Sequence, residues 1–406
     1  MKSAPTYPTA MKCAPAGMSI SYLRSSRSWC FNMNPTPKEP SYSWISRFAI
    51  EHICSSNDLC RGDDFPHELW RKMGEAGFFK IGIAPAYGGC GGGYKQLLEA
   101  GEVFVRSSYN MGLALSWLYQ QLVAVYLISG FGTERQRKKY LPRMAEGRLI
   151  ASFAVSEPRH GGRPKYMTTN AVEDAKGFKL NGEKNYLTNA PVAGLFVVIA
   201  VTGEAKGQKQ FSAFLVDHPT EGLTVSPPIK LDFLKPSPHG GILLRDCAVS
   251  STAILGEKDR AFPDIVMPFS DAENIVLMGA VSGAMGAELM DVILEINQSR
   301  IGENKAVQSE IGELDALLET LRVVAREAAH KMDARDNYAI PLTLIFNELA
   351  ESFQHRIAAV VNKWNLPMRK RFTMLQADLN ILGILGKKNI AGKITKLGDE
   401  LLHGKR

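Results

Sequence analysis

The sequence predicts a multidomain α/β/α chain: an N-terminal helical domain, a small middle β-barrel and a C-terminal four-helix bundle. Three observations carry this. Apolar residues recur at helical spacing from about Ser41 to Gly147. The period drops to two over a series of short segments from about Leu149, and helical spacing returns after about Asp264. A length of 406 residues leaves room for two or three domains. The expected boundaries are an extension over residues 1–40, a helical domain over 41–148, a barrel over 149–258 and a bundle over 259–406.

Each block has its own signals. In the first, "FPHELWRKMGEAGFF" carries a Pro near its start and apolar residues three and four apart before Gly breaks it, and "PAYGGCGGGY" is a connector with five glycines. The apolar stretch from Tyr94 to Gly132 is too interrupted to be one helix, and "TERQRKKYLPRMAEG" closes the block as a polar helix-turn. In the second, "LIASFAVS", "LFVVIAVTG", "KQFSAFLVD" and "GILLRDCAVS" read as short strands, with "DAKG" and "LNGEK" as hairpin turns. Short strands without intervening helices suit a small barrel or a sandwich. In the third, four long amphipathic segments with short links suit an antiparallel bundle, and glycines at 279, 283 and 286 allow close helix packing.

Composition narrows the function classes. The chain is 45% hydrophobic and 22% charged, and no apolar run approaches the roughly 20 residues that span a bilayer. A net charge of +7 is spread out, without an aromatic-basic stripe for nucleic acid. Six scattered cysteines form neither a C-x-x-C pair nor a metal-ligand spacing and read as free thiols of a reducing compartment, with no metal expected. The first 38 residues hold five Lys and Arg and no acid. They are either a mitochondrial transit peptide, which would send the protein to the matrix, or an over-extended start ahead of Met33, which would leave it cytoplasmic.

Four motifs in order resemble the acyl-CoA dehydrogenase family, over about residues 45–330. "FPHELWRKMGEAGFFKIGIAPAYGG" is similar to the family's N-terminal helix and its "PEEYGG" turn. "FGTERQRKKYLPRMAEGRLIASFAVSEP" resembles "FGTEEQKxxYLPxLAxGExIgaFalTEP", the most specific match. "GFKLNGEKNYLTNAPVAGLFVVIAVTG" and "DCAVSSTAILGE" resemble the two segments that follow. The resemblance implies an FAD enzyme of fatty-acid-type metabolism that oxidises an acyl-CoA or acyl-carrier thioester to its trans-2-enoyl form. An electron-transferring flavoprotein would be the acceptor. A homotetramer or homodimer is expected, and a heteromer is open; nucleic acid and a membrane span are not expected.

The resemblance also implies site residues. Phe153, Val155 and Ser156 in "FAVSEP" would meet the flavin edge, and Tyr186, Leu187 and Thr188 in "NYLTN" would lie along the flavin, with Tyr186 replacing the family's Trp. Arg159, Gly162 and Arg163 in "RHGGRPK" replace the usual "GAGSD". With Lys165 they would grip a phosphate of coenzyme A or of a carrier's phosphopantetheine, or else form a solvated basic loop. Arg300 stands near, but out of register with, the Arg that reaches a neighbouring subunit's FAD. The loop that closes over the adenosine is replaced by "VVNKWNLPMRKR".

The usual catalytic Glu aligns with Gly386, so the common base is absent. In the isovaleryl-CoA dehydrogenase branch the base lies instead on the first helix of the last domain, in a segment similar to "SDAENIVLMGA". That places the base at Glu273 and puts Asn274, on the substrate side, where the companion Arg stands. Two roles are open for Glu273. Ser270-Asp271-Ala272-Glu273 also reads as a capping box, in which the carboxylate would serve a helix start. Two further readings stay open for the chain: a catalytically silent partner subunit, and a related flavoprotein such as an oxidase or a dehydrogenase of carrier-bound acyl groups.

Overall fold

The computed structural model describes residues 42–54, 62, 64–336 and 339–404. The extension expected over residues 1–40, with its transit-peptide reading, lies outside them.

The chain runs helical, then β, then helical. The first block holds α1 (Ser43–Ala49), α2 (His67–Ala76), α3 (Tyr94–Ser108), α4 (Met111–Leu122), a wide-turn continuation (Val123–Ile128), α5 (Ser129–Phe131) and α6 (Glu134–Ala145). The break expected between Tyr94 and Gly132 falls at Tyr109, which adopts a positive φ of 56°. Asn110 then restarts the helix by accepting from the Leu113 amide at 2.8 Å. In "TERQ", Thr133 and Gln136 cap α6 reciprocally, amide to side chain, at 2.8 and 3.3 Å.

The middle block is one eight-stranded sheet: β1 (Ala151–Ala154), β2 (Asn170–Asp174), β3 (Gly177–Thr188), β4 (Leu195–Ala205), β5 (Gln208–Asp217), β6 (Leu223–Val225), β7 (His239–Val249) and β8 (Ile254–Leu255). Its order is β6-β7-β3-β2-β4-β5-β8, and β1 joins β4 in parallel. One face encloses a separate core containing Phe178, Leu180, Phe196, Val198, Phe214 and Ile242. On β4 the alternate residues Leu195, Val197 and Ile199 face the main core shared with the helices. A strand buried on both faces reads as the unbroken apolar run "LFVVIAV".

One expected hairpin is present and one is not. Asp174 pairs with Gly177 across a two-residue turn. "LNGEK", in contrast, lies inside β3 as a bulge, with the register shifting between Leu180 and Gly182. Gly182 has φ 143°, and a Cβ there would sit 2.6 Å from the Thr169 backbone. Its glycine serves a close crossing of chains, not a reversal.

The last block holds α7 (Met267–Gln298), α8 (Lys305–Asp333), α9 (Ala339–Lys363) and α10 (Lys370–Leu402), after a wide first turn (Phe262–Val266). Packing of α7 on α3 is tight enough that a Cβ on Gly279 or Gly283 would fall 2.0 or 2.3 Å from the carbonyl oxygens of Leu98 and Glu102. Asp333, at the end of α8, accepts from the Tyr94 and Lys95 amides at 2.7 and 3.1 Å and so caps α3.

Two helical stretches, Met111–Phe131 and Phe262–Gln298, are long and apolar enough to cross a membrane, contrary to the reading of the sequence. Protein buries 89% and 78% of their apolar windows, so both serve as core helices.

Candidate active site

The helix carrying Glu273 does not begin where the sequence suggested. Helical geometry starts at Phe262 and runs without a break into α7, so Ser270 is already inside the helix. The backbone amides near Glu273 therefore have helical partners, and the capping-box reading is excluded. Pro263 fits because the first turn lacks internal N–H partners, and Pro268 stands where the register changes from wide to ordinary.

Glu273 is surrounded deeply by protein, yet its residue retains accessible surface. Burial raises its carboxyl to about 7. One turn earlier, on the same face, Phe269 packs edge-on against Phe153 with ring centres 4.7 Å apart, and against Tyr119 at 5.7 Å. The Tyr119 hydroxyl donates to the Phe153 carbonyl at 3.3 Å. Burial, then the nearby Glu273 charge, hold its proton on well above the usual phenol range. Phe269 and Tyr119 thus link the Glu273 turn of α7 to Phe153 of β1 through one aromatic cluster.

The residues after β1 and those ending β3 converge. Ser152 Oγ donates to the Thr188 carbonyl at 2.7 Å, Lys184 Nζ to the Val155 carbonyl at 2.9 Å, and the Asn185 amide to the Ser156 carbonyl at 2.9 Å. A register shift between Lys184 and Leu187 throws Tyr186 outward. Tyr186 has φ 57° and is 64% exposed, an unusual state for a large aromatic on a strand. Leu187 turns into the sheet core, so only its backbone faces the site. Thr188 Oγ1 lies 3.4 Å from His239 Nε2. The Ser237 carbonyl, 3.1 Å from Nδ1, assigns the proton to that nitrogen and leaves Nε2 as acceptor for the threonine hydroxyl. Burial lowers the His239 pKa and favours this neutral form. The sequence reading missed both Lys184 and His239. Lys184 lies on a Lys of the family-like segment "GFKLNGEKNYLTN", but its partner Glu157 is 27 residues away; no local pattern singles out His239.

The other expected residues are placed as follows. Arg159, with φ 66°, and Gly162 and Arg163 are exposed on the loop after Glu157. That loop lies against the site: a Cβ on Gly162 would stand 3.6 Å from Val155 Cγ1 and 4.0 Å from Ser156 Oγ. Asn274 is half-buried beside Glu273 on α7. Arg300 is exposed just past the end of α7. It follows Glu273 by 27 residues, about 40 Å along the helix at 1.5 Å per residue, so this chain does not bring it to the site. Gly386 lies within α10, and its surroundings fall outside the described residues.

This arrangement fits one end of a flavin. Tyr186 offers an exposed aromatic ring, Ser156 and Thr188 offer hydroxyls where the segment after β1 meets the end of β3, and Glu273 on α7 lies close enough to Tyr119 for its charge to act on that hydroxyl. They suit a planar ring system with polar edges. An adenosine half finds no comparable set among the described residues of this chain.

Comparison with known proteins agrees. The acyl-CoA dehydrogenase N-terminal domain matches residues 43–148, and the acyl-CoA dehydrogenase middle domain matches residues 152–247. An L-prolyl-[peptidyl-carrier protein] dehydrogenase of Pseudomonas fluorescens is 29% identical over 313 residues, covering 75% of this chain and 81% of the relative. The caffeyl-CoA reductase-Etf complex subunit CarC of Acetobacterium woodii is 30% identical over 278 residues, covering 68% and 73%. The structure of butyryl-CoA dehydrogenase from Megasphaera elsdenii superposes with a TM-score of 0.80 at 20% identity, covering 89% of this chain and 97% of that one, and shows the shared fold. The chain belongs to the acyl-CoA dehydrogenase family of flavin-dependent oxidoreductases.

Proposed function

We propose that the protein oxidises the α,β-carbons of an acyl thioester to the trans-2-enoyl form, with Glu273 as the base that removes the Cα proton. The supporting observation is a carboxylate deep in the protein, one turn along α7 from the ring that packs on Phe153 of β1, in a helix that gives it no capping role. With a pKa of about 7, it is a competent acceptor at neutral pH. FAD is the proposed cofactor, and when bound it supplies the acceptor for the hydride that leaves Cβ. Phe153, Val155 and Ser156 would border its pyrimidine edge, Tyr186 would face the ring, and the Thr188 hydroxyl, oriented by His239, would bond the ring's polar edge. Leu187 contributes backbone. Arg300 would reach only the cofactor of another subunit, which fits a homodimer or homotetramer.

The thioester is proposed to hang from phosphopantetheine, whether of coenzyme A or of a carrier protein. Arg159, Arg163 and Lys165 on the exposed loop beside Ser156 offer cations to its phosphate, with Gly162 leaving room for the arm and Asn274 lining the acyl side. The related prolyl-carrier dehydrogenase makes the carrier-bound form the first to try. An electron-transferring flavoprotein is the proposed electron acceptor; the name of the CarC relative places that protein in a complex with an Etf.

The test is anaerobic mixing of the FAD-loaded protein with a panel of acyl-CoA and acyl-carrier thioesters, followed by flavin absorbance. Bleaching by a member of the panel is expected, and Glu273→Gln should bind FAD but not bleach. A variant that bleaches at the normal rate removes Glu273 from the mechanism.

A further inference from the structure

Lys184 and Glu157 form an ion pair inside the middle domain, with side chains 0% and 6% exposed. Lys184 Nζ stands 3.1 Å from Glu157 Oε1 and 2.9 Å from the Val155 carbonyl. The rest of the carboxylate is also satisfied. Glu157 Oε2 accepts from the Thr168 amide at 2.7 Å and its hydroxyl at 2.9 Å, and Oε1 accepts from the Thr169 amide at 2.9 Å. Next along β3, the Asn185 amide holds the Ser156 carbonyl at 2.9 Å, and Glu157 exchanges both backbone bonds with Gly161 at 3.0 and 3.1 Å.

Stability alone does not account for such a pair. Removing two ions from water costs about as much as their attraction returns, and an apolar pair of similar volume often serves as well. What an apolar pair cannot do is bind a carbonyl. Lys184 spends one donor on Val155, at the point where β1 ends and the chain turns into the basic loop. Its neighbour Asn185 takes the next carbonyl, and Tyr186 then leaves the strand in its left-handed conformation.

We infer that Lys184 is a positioning residue: its ammonium, anchored by Glu157, fixes the Val155–Glu157 backbone in the arrangement that presents Val155 and Ser156 to the flavin edge. The inference rests on the flavin reading of those two residues given above. Burial lowers Lys184 to about 8 despite Glu157. Burial would raise Glu157, but the Lys184 charge and the bonds from Thr168 and Thr169 overcome it and bring Glu157 down to about 2. The pair is therefore charged at neutral pH and loses the ammonium as pH rises through about 8. Glu157 is the charged group brought against Lys184, and the segment that also holds Glu157 offers only threonines.

The experiment measures FAD affinity of the apoprotein by quenching of flavin fluorescence from pH 6 to pH 9.5, with thermal midpoints on the same samples. Wild type should bind with constant affinity below about pH 8 and more weakly above it. Lys184→Met should bind at least roughly tenfold more weakly, with no break near that pH. Glu157→Gln removes the anchor, so the break should move to lower pH. This second variant carries the test if the methionine variant does not fold. FAD binding by wild type with the same affinity and pH profile in Lys184→Met, or an unmoved break in Glu157→Gln, overturns the role of Lys184 alone. Failure of wild type to bind FAD at any pH overturns the flavin reading and this inference with it.

Discussion

Two carboxylates on α7, Glu273 and Glu288, are both buried and both raised far above the ordinary range, to about 7 and about 8. Yet they are built for different ends. Glu288 has no exposed surface. One of its oxygens accepts from Gln354 Nε2 on α9 at 2.6 Å, and the other has no hydrogen-bond partner among the described residues. Burial raises it first, and the nearby Asp291 charge adds to that. Asp291 itself is bound by Arg371, which lies over the Tyr109 ring at 4.2 Å. Glu288 thus sits in a closed polar seam between helices. Glu273 keeps accessible surface, and its turn of α7 is tied through Phe269 to Phe153 on β1. A shifted pKa therefore does not mark a base; access and direction do.

The largest expected effect separates the two at once. Glu273→Gln should cut the rate of flavin reduction by roughly 10²–10⁴, the usual worth of a positioned general base, whereas Glu288→Gln should leave it within about threefold. Stopped-flow absorbance on both variants decides this. Equal losses would mean that α7 as a whole, and not Glu273, governs the site.

Stability should reverse the ranking. A carboxyl with a folded pKa near 8 holds its proton longer in the folded than in the unfolded chain. Its contribution is full below the ordinary carboxylate pKa and is lost as pH rises through about 8, at up to about 1.4 kcal/mol per pH unit. Glu288→Gln should therefore gain stability over wild type as pH is raised from 5 to 8.5, seen as a growing difference in urea midpoints. Glu273→Gln should show the same trend over a shorter window that ends near pH 7. A flat difference for Glu288→Gln would show that Glu288 is ionised when folded.

How much of this was legible in the sequence depends on the distance between partners. The three blocks were readable because period is a local property. The interruption between Tyr94 and Gly132 and the Asp174–Gly177 turn were likewise readable from neighbouring residues. The same local logic misread Asn181-Gly182 as a turn, because the bulge answers to Thr169 on another segment. It also offered a cap at Ser270, because Ser270 and Glu273 stand at capping-box spacing although the helix already begins at Phe262. Lys184 stands at a Lys of the family-like segment "GFKLNGEKNYLTN" without its role being readable there, and His239 and Glu288 carried no signal. Each owes its state to burial and to a partner that only the tertiary fold supplies.

The rate should also follow pH with the sign set by Glu273. The base must be ionised, so flavin reduction should rise about tenfold per unit below pH 7 and level off above it, with the break near the pKa of about 7. A break near the ordinary carboxylate value of about 4.3 would place Glu273 in water, not in a cleft.

The smallest expected effect concerns Tyr119, the counterpart at Glu273 of Gln354 at Glu288. Gln354 bonds its carboxylate directly, whereas the Tyr119 hydroxyl is turned to the Phe153 carbonyl at 3.3 Å and reaches Glu273 only through its electrostatic field. Tyr119→Phe should therefore lower stability by about 1 kcal/mol, the net worth of one buried hydrogen bond. It should slow flavin reduction by less than about tenfold, through a looser β1 end. The pH at which the rate breaks should stay within about half a unit of wild type, since the hydroxyl does not bond the carboxylate. A rise of a unit or more would show that Tyr119 donates to Glu273 in the working enzyme. The two carboxylates would then differ in access but not in how they are held.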